Sequence, residues 1–166
     1  MLRTIDDFQK DWAYEVGATG KILNALTDES LAQKVTPDGR SLGFLAWHLT
    51  QTLPEMLGHT GLKIDGPSHD QECPASASEI ASAYEQAAKS VTQQVGANWN
   101  DETLLQTDSM YGETWPRGVT LFALIAHQAH HRGQMTVLMR QAGLRVPGVY
   151  GPAKEDWAAM GAPAMQ

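Results

Sequence analysis

His127 and His131 lie four residues apart in the run Ala126-His127-Gln128-Ala129-His130-His131-Arg132-Gly133-Gln134, inside a long helical pattern near the C-terminal end. A helix turns about 100° per residue, so these two imidazoles share a face and His130 points elsewhere. Leu124, Met135 and Leu138 fall on the same stripe, which puts both rings where a bundle helix carries its core. Burying an imidazole without a partner costs a few kcal/mol, so something must satisfy those nitrogens. One answer is a divalent ion, because histidines at i and i+4 can offer two nitrogens to one ion at about 2.0–2.1 Å each. His48 is the third candidate ligand, being the other histidine on a long helical pattern with apolar neighbours on its face. Three neutral imidazoles leave coordination positions open to water or substrate, as catalytic rather than closed structural sites do. Protons should compete for them below about pH 6. The competing answer keeps all of them as core histidines satisfied by hydrogen bonds.

Other chemistries find less support. A Ser-His-Asp triad has no nucleophile motif such as G-x-S-x-G to build on, and P-loop and dinucleotide fingerprints are absent. Cys73 is the one cysteine, so it forms no internal disulfide; beside Pro74, with nothing nearby in sequence to lower its pKa, it reads as incidental. That cysteine usage makes a cytoplasmic location the expectation. Glu55, two turns from His48 on one helix face, reads as a solvated charge, and the loop residues His59 and His69 as exposed bystanders. Arg132 and Gln134, and Glu55 as the alternative to a solvated charge, read as orienting groups for a substrate or a ligand histidine, or else as surface residues.

Positioning these groups requires helices. Thr4 and Asp7 suggest a capping box opening a first helix over residues 5–26, with Phe8, Trp12, Val16, Leu23 and Leu26 at helical spacing. Gly17 and Gly20 within it read as close-packing positions. A second helix opens at Ser41 and carries Leu42, Leu45, Leu49 and Met56; Pro54 should bend it one turn beyond His48. A long loop spans 58–74. Ser76 and Glu79 suggest a second capping box before a helix that ends ahead of Gly96, and 97–117 reads as a connection across the bundle without strands. The fourth helix begins near Pro116 or Thr120 and runs to Ala142, with Gly143 just past its end. Pro147-Gly148-Val149-Tyr150-Gly151-Pro152 is turn chemistry, followed by a short helical tail over 155–160. The fold class is therefore all-α, a four-helix bundle, in one domain over 1–166.

Composition narrows the partners. Twelve basic against 19 acidic residues give a net charge of −7 with no basic run, so nucleic acid is not expected. No stretch approaches the roughly 20 apolar residues of a membrane span, and the acidic N-terminus is unlike a signal peptide.

Three blocks together carry a resemblance: Ser41-Leu42-Gly43-Phe44-Leu45-Ala46-Trp47-His48-Leu49, then His127 to Gln134, then Pro147 to Pro152. Their order and separation resemble the landmarks of the DinB family, also called DinB/YfiT-like metalloenzymes, over nearly the whole chain. The resemblance implies a four-helix bundle with long crossover connections, often a homodimer, and a divalent metal held by three histidines. On this chain those positions are His48, His127 and His131, with His130 outside the ligand set. Zinc and nickel suit such a ligand set best.

The reaction is not fixed by any motif. One reading is a metal-dependent enzyme, because some members of the superfamily resemble thiol-dependent transferases or isomerases working with bacillithiol, mycothiol or glutathione, and others are regarded as hydrolases. Its partner is a small-molecule substrate, such as a low-molecular-weight thiol, whose pKa the ion lowers. The alternatives are a non-catalytic metal-binding or stress-response bundle, and a structural bundle whose histidines belong to the core.

Overall fold

Thr4 and Ser41 each start a helix as their sequence context suggests, accepting hydrogen bonds from the backbone N–H of Asp7 and Phe44 at 3.0 and 3.1 Å. The computed structural model describes residues 2–163, so the two ends of the 1–166 span lie outside the description. Four helices dominate it: α1 (Ile5–Leu23), α2 (Leu42–Gly58), α3 (Ala77–Asn98) and α4 (Arg117–Gln141). The first stops earlier than expected, although Leu26 is still buried. The third continues through Gly96. Pro54 is accommodated within an unbroken α2.

Helix α1 packs on α3 and α4, and α2 packs on the same two, so α1 faces α2 across a diagonal and α3 faces α4 across the other. Two connections therefore cross an end of the bundle. The first contains a 3-10 turn, Asp28–Ala32, whose Leu31 lies against the start of α2. A Cβ at Gly43 would sit 3.2 Å from the Leu31 carbonyl oxygen and 3.1 Å from its Cβ, which is why this turn of α2 carries glycine. The second crossing holds a 3-10 turn, Asp101–Leu105, and a hairpin of β1 (Thr107–Met110) and β2 (Glu113–Pro116). Antiparallel pairing runs from Thr107 opposite Pro116 to Met110 opposite Glu113, which leaves Tyr111 and Gly112 as a two-residue turn, both at positive φ. Four-residue strands rich in Thr, Asp, Ser and Glu give almost no alternating signal, and the strand-free expectation for this connection is corrected accordingly.

Two helix ends are stabilised in different ways. Gly143 at φ 76° closes α4 in a Schellman motif, with Gly143 N–H donating to Arg140 O and Leu144 N–H to Met139 O. The capping box expected at Ser76 does not form. Instead the Asp28 carboxylate accepts from the Ala77 N–H at 2.7 Å, capping α3 from a distant part of the chain. In place of a helical tail over 155–160, a short 3-10 helix, Lys154–Asp156, is followed by turns over 157–160. One continuous cluster of buried side chains, including Phe8, Trp12, Leu49, Ile80, Leu121 and Met135, joins all four helices. Gly17 and Gly20 do not touch it: nothing comes within 4 Å of a Cβ placed on either, and they line a groove between α1 and α3. Among the described residues no helix is long and apolar enough to cross a membrane.

Candidate metal centre

The face-sharing of His127 and His131 on α4 is realised, and the α2–α4 contact brings His48 to the same point. Ligand nitrogens of the three lie within 4.8 Å of one another. His127 Nε2 stands 3.2 Å from His48 Nε2 and 3.0 Å from His131 Nε2. Two nitrogens bound to one ion at about 2.0–2.1 Å stand roughly 2.9–3.4 Å apart for octahedral or tetrahedral angles, so the observed spacing suits a shared ion. His131 is buried, and His48 and His127 are half-buried.

The protonation chemistry points the same way. His131 Nδ1 and Gln134 Oε1 are 2.7 Å apart, and the amide oxygen can only accept, so the His131 proton sits on Nδ1 and the Nε2 lone pair faces the other rings. Burial first, and then the neighbouring His131, push His48 and His127 down to about 4. Burial lowers His131 as well, opposed by its bond to Gln134. Neutral imidazoles with convergent Nε2 atoms cannot all satisfy each other, because every hydrogen bond between two rings needs a proton on one of them. A cation accommodates three lone pairs at once. His127 Nδ1 is buried with no partner among the described residues, a position open to a proton once Nε2 is a ligand. The donor set therefore fits a divalent ion. His130, with its ring 4.8 Å from that of His131, bonds Gln134 at 3.3 Å and stands outside the three.

Arg132 does not face this site. It is 2% exposed, forms an ion pair with Glu15 of α1, and donates to Thr19 Oγ1 at 2.8 Å and Tyr150 Oη at 2.6 Å. Tyr150 in turn donates to Glu15 at 2.6 Å. The arginine thus clamps α4 to α1 and to the turn segment 147–152, and the reading of Arg132 as a substrate-orienting group is corrected. Gln128, fully buried, extends this polar layer from Thr19 to the Leu49 carbonyl of α2. Neither Glu15 nor Gln128 stands out in the sequence; the available signal was a polar residue at a helical position that should be apolar.

A cavity of about 420 Å³ opens beside the histidines, lined by His48, His127, Glu55, His69, Tyr111 and Trp115 among others. Glu55 is not simply solvated: the Tyr111 hydroxyl lies 3.0 Å from both of its oxygens. His69 is exposed and outside the ligand set, as expected, though it lines the cavity and its loop is held in place. Gln51 donates to the carbonyls of Ser68, His69 and Gln71 at 2.7–3.0 Å and Trp47 to Gln71 at 2.9 Å, pinning the loop along α2. His59 stays at the rim, 3.7 Å from Glu55. Cys73 is exposed and away from this lining, and partial burial of its thiol raises its pKa.

A four-helix bundle with two diagonal crossings and three histidines gathered between α2 and α4 defines the class of protein. The chain belongs to the DinB family, whose sequence model matches residues 1–165. It is 48% identical over 161 residues to YrdA of Bacillus subtilis strain 168, an uncharacterised protein, covering 97% of this chain and 96% of that one. A crystal structure of a DinB-like protein from Bacillus cereus superposes with a TM-score of 0.87 at 45% identity, over 90% of this chain and all of the other. A second DinB-like protein, YjoA of B. subtilis, shares the fold alone, with a TM-score of 0.68 at 12% identity over 88% of this chain and 99% of the other.

Proposed function

We propose that the protein is a metal-dependent enzyme that holds a divalent ion through His48, His127 and His131 and acts on a small molecule entering the adjacent cavity. The observation that carries this reading is the convergence of three Nε2 atoms at ligand spacing on the wall of an open cavity. A bound ion would supply Lewis acidity, lowering the pKa of a coordinated thiol or water. The protein's own groups do the rest: Gln134 fixes the His131 ring, α2 and α4 hold the ligands in register, and the hairpin supplies Tyr111 and Trp115 to the cavity wall. Zinc or nickel suits an all-imidazole set, and a low-molecular-weight thiol suits the chemistry as transfer substrate, with hydrolysis the other reaction of the same centre.

Association as a homodimer belongs to the same proposal. Tyr14 of α1 and Phe122 and Val137 of α4 are each more than half exposed, and apolar side chains of that size on a bundle face favour self-association.

The test is metal analysis of protein purified without a metal-affinity step. About one equivalent of a divalent metal is expected, removable by chelator and restored by adding zinc or nickel. Protein that takes up no metal at micromolar concentrations would leave the histidines as core residues.

A further inference from the structure

Glu55 is the feature that a three-histidine centre leaves unexplained. Its side chain is 29% exposed, and among the described residues no Lys or Arg lies within ion-pair distance of it. Its neighbours are the Tyr111 hydroxyl and, at 3.7 Å, His59 Nε2. A phenol donor satisfies lone pairs without offsetting the negative charge, and no Lys or Arg among the described residues does so in this partly desolvated wall. The aromatic groups around it are arranged with the same orientation: Tyr111 meets Trp115 edge to face at 5.9 Å and His59 at 5.4 Å, and both Tyr111 and Trp115 line the cavity with Glu55. Trp115 Nε1 donates to Glu113 at 2.7 Å, which holds the indole in place.

Tyr111 occupies the left-handed region at φ 52°, where a bulky side chain is rare, and the hydroxyl bond to Glu55 and the flanking rings hold it there. A turn with no role in the cavity would be better served by Asn-Gly.

We propose that this end of the cavity is a subsite for a cationic amine of the substrate, with Glu55 as its counter-charge, Tyr111 orienting the carboxylate, and the Tyr111 and Trp115 rings as walls. An ammonium there gains a charged hydrogen bond to the carboxylate and the attraction of aromatic faces. Seven residues separate Glu55 from His48 on α2, about 10 Å along the axis at 1.5 Å per residue. If the histidine centre is the reacting end, the amine lies roughly that far from the reacting atom; this distance rests on the reading of the centre, whereas the subsite itself does not.

The experiment titrates full-length, metal-free, 15N-labelled protein with hexylammonium and, separately, with 1-hexanol, following the Trp115 indole N–H by NMR. Hexylammonium is expected to shift that resonance saturably and to bind at least about tenfold more tightly than the alcohol. Glu55→Gln should reduce it to the level of the alcohol, and Tyr111→Phe, which frees the carboxylate, should weaken it severalfold. Dispersion of each variant's spectrum reports that it is folded. Equal binding of amine and alcohol, or unchanged amine binding in folded Glu55→Gln, overturns the subsite. A parallel cobalt(II) titration reports the histidine centre, so protein that binds hexylammonium but no cobalt overturns the metal reading and leaves the amine subsite standing, and the reverse result does the opposite.

Discussion

His131 and Gln134 are joined one turn apart on α4 by a 2.7 Å hydrogen bond that commits the imidazole proton to Nδ1 and turns Nε2 toward His48 and His127. The bond is a local i, i+3 contact, yet it decides which face of the ring is available as a ligand.

Removing that acceptor should weaken metal binding without unfolding the bundle, because Gln134 is exposed. Gln134→Leu is expected to lose about 10- to 100-fold in zinc affinity, with Gln134→Glu retaining it. Competition titration against a chromophoric chelator measures both. Equal affinities in the two variants would remove Gln134 from the centre.

His48→Ala, His127→Ala and His131→Ala each leave two imidazoles, too few for tight binding, so each variant should contain little metal. His130→Ala should load as the parent protein does, since its ring bonds Gln134 rather than the other ligands. Metal content of the four purified variants checks the assignment. Comparable loss in the His130 and His131 variants would refute it.

Acid should act on the metal-free protein through His48 and His127. Both fall from an ordinary value of 6.5 to about 4 on folding, so between those pH values the unfolded chain binds more protons than the folded one. Their contribution to stability is therefore complete above about pH 6.5 and is lost as the pH falls toward 4. Urea denaturation of chelated protein at several pH values reads the slope, which His127→Gln should reduce. The same shift keeps the ligands neutral further into acid than the sequence suggests, so proton competition for the metal should set in nearer pH 5 than pH 6. Metal release with a midpoint at or above about pH 6.5 would contradict the lowered values.

The Arg132–Glu15 pair should matter for stability rather than for metal chemistry. Both side chains are nearly fully buried, and removing one partner strands the other charge. Arg132→Met and Glu15→Gln are each expected to cost about 3–5 kcal/mol in chemical denaturation, and Tyr150→Phe about 1–2 kcal/mol. Loss of metal affinity in folded Tyr150→Phe would instead place this network in the functional centre.

Self-association is read directly by light scattering, with a dimer expected at tens of micromolar. Phe122→Lys places a charge on the exposed face of α4 and should shift the protein toward monomer while leaving the helical spectrum unchanged. A monomeric parent protein would dispose of the dimer.

Helical periodicity was enough to read four helices from the sequence, because each buries one stripe in a common core, as Leu124, His131, Met135 and Leu138 do on α4. The pairing of His127 with His131 was equally legible, since i, i+4 geometry is a property of the helix alone. The convergence of His48 on them was an expectation until the α2–α4 packing placed the three nitrogens together. What depends on contacts between distant segments was not legible. Asp28 displaces Ser76 as the cap of α3, Glu15 takes Arg132 into the interior, and a hairpin without strand periodicity brings Tyr111 onto Glu55 across 56 residues. Each of these side chains has an unremarkable local alternative in water or in its own turn. Only the tertiary fold, by desolvating one option and supplying a partner for the other, selects between them.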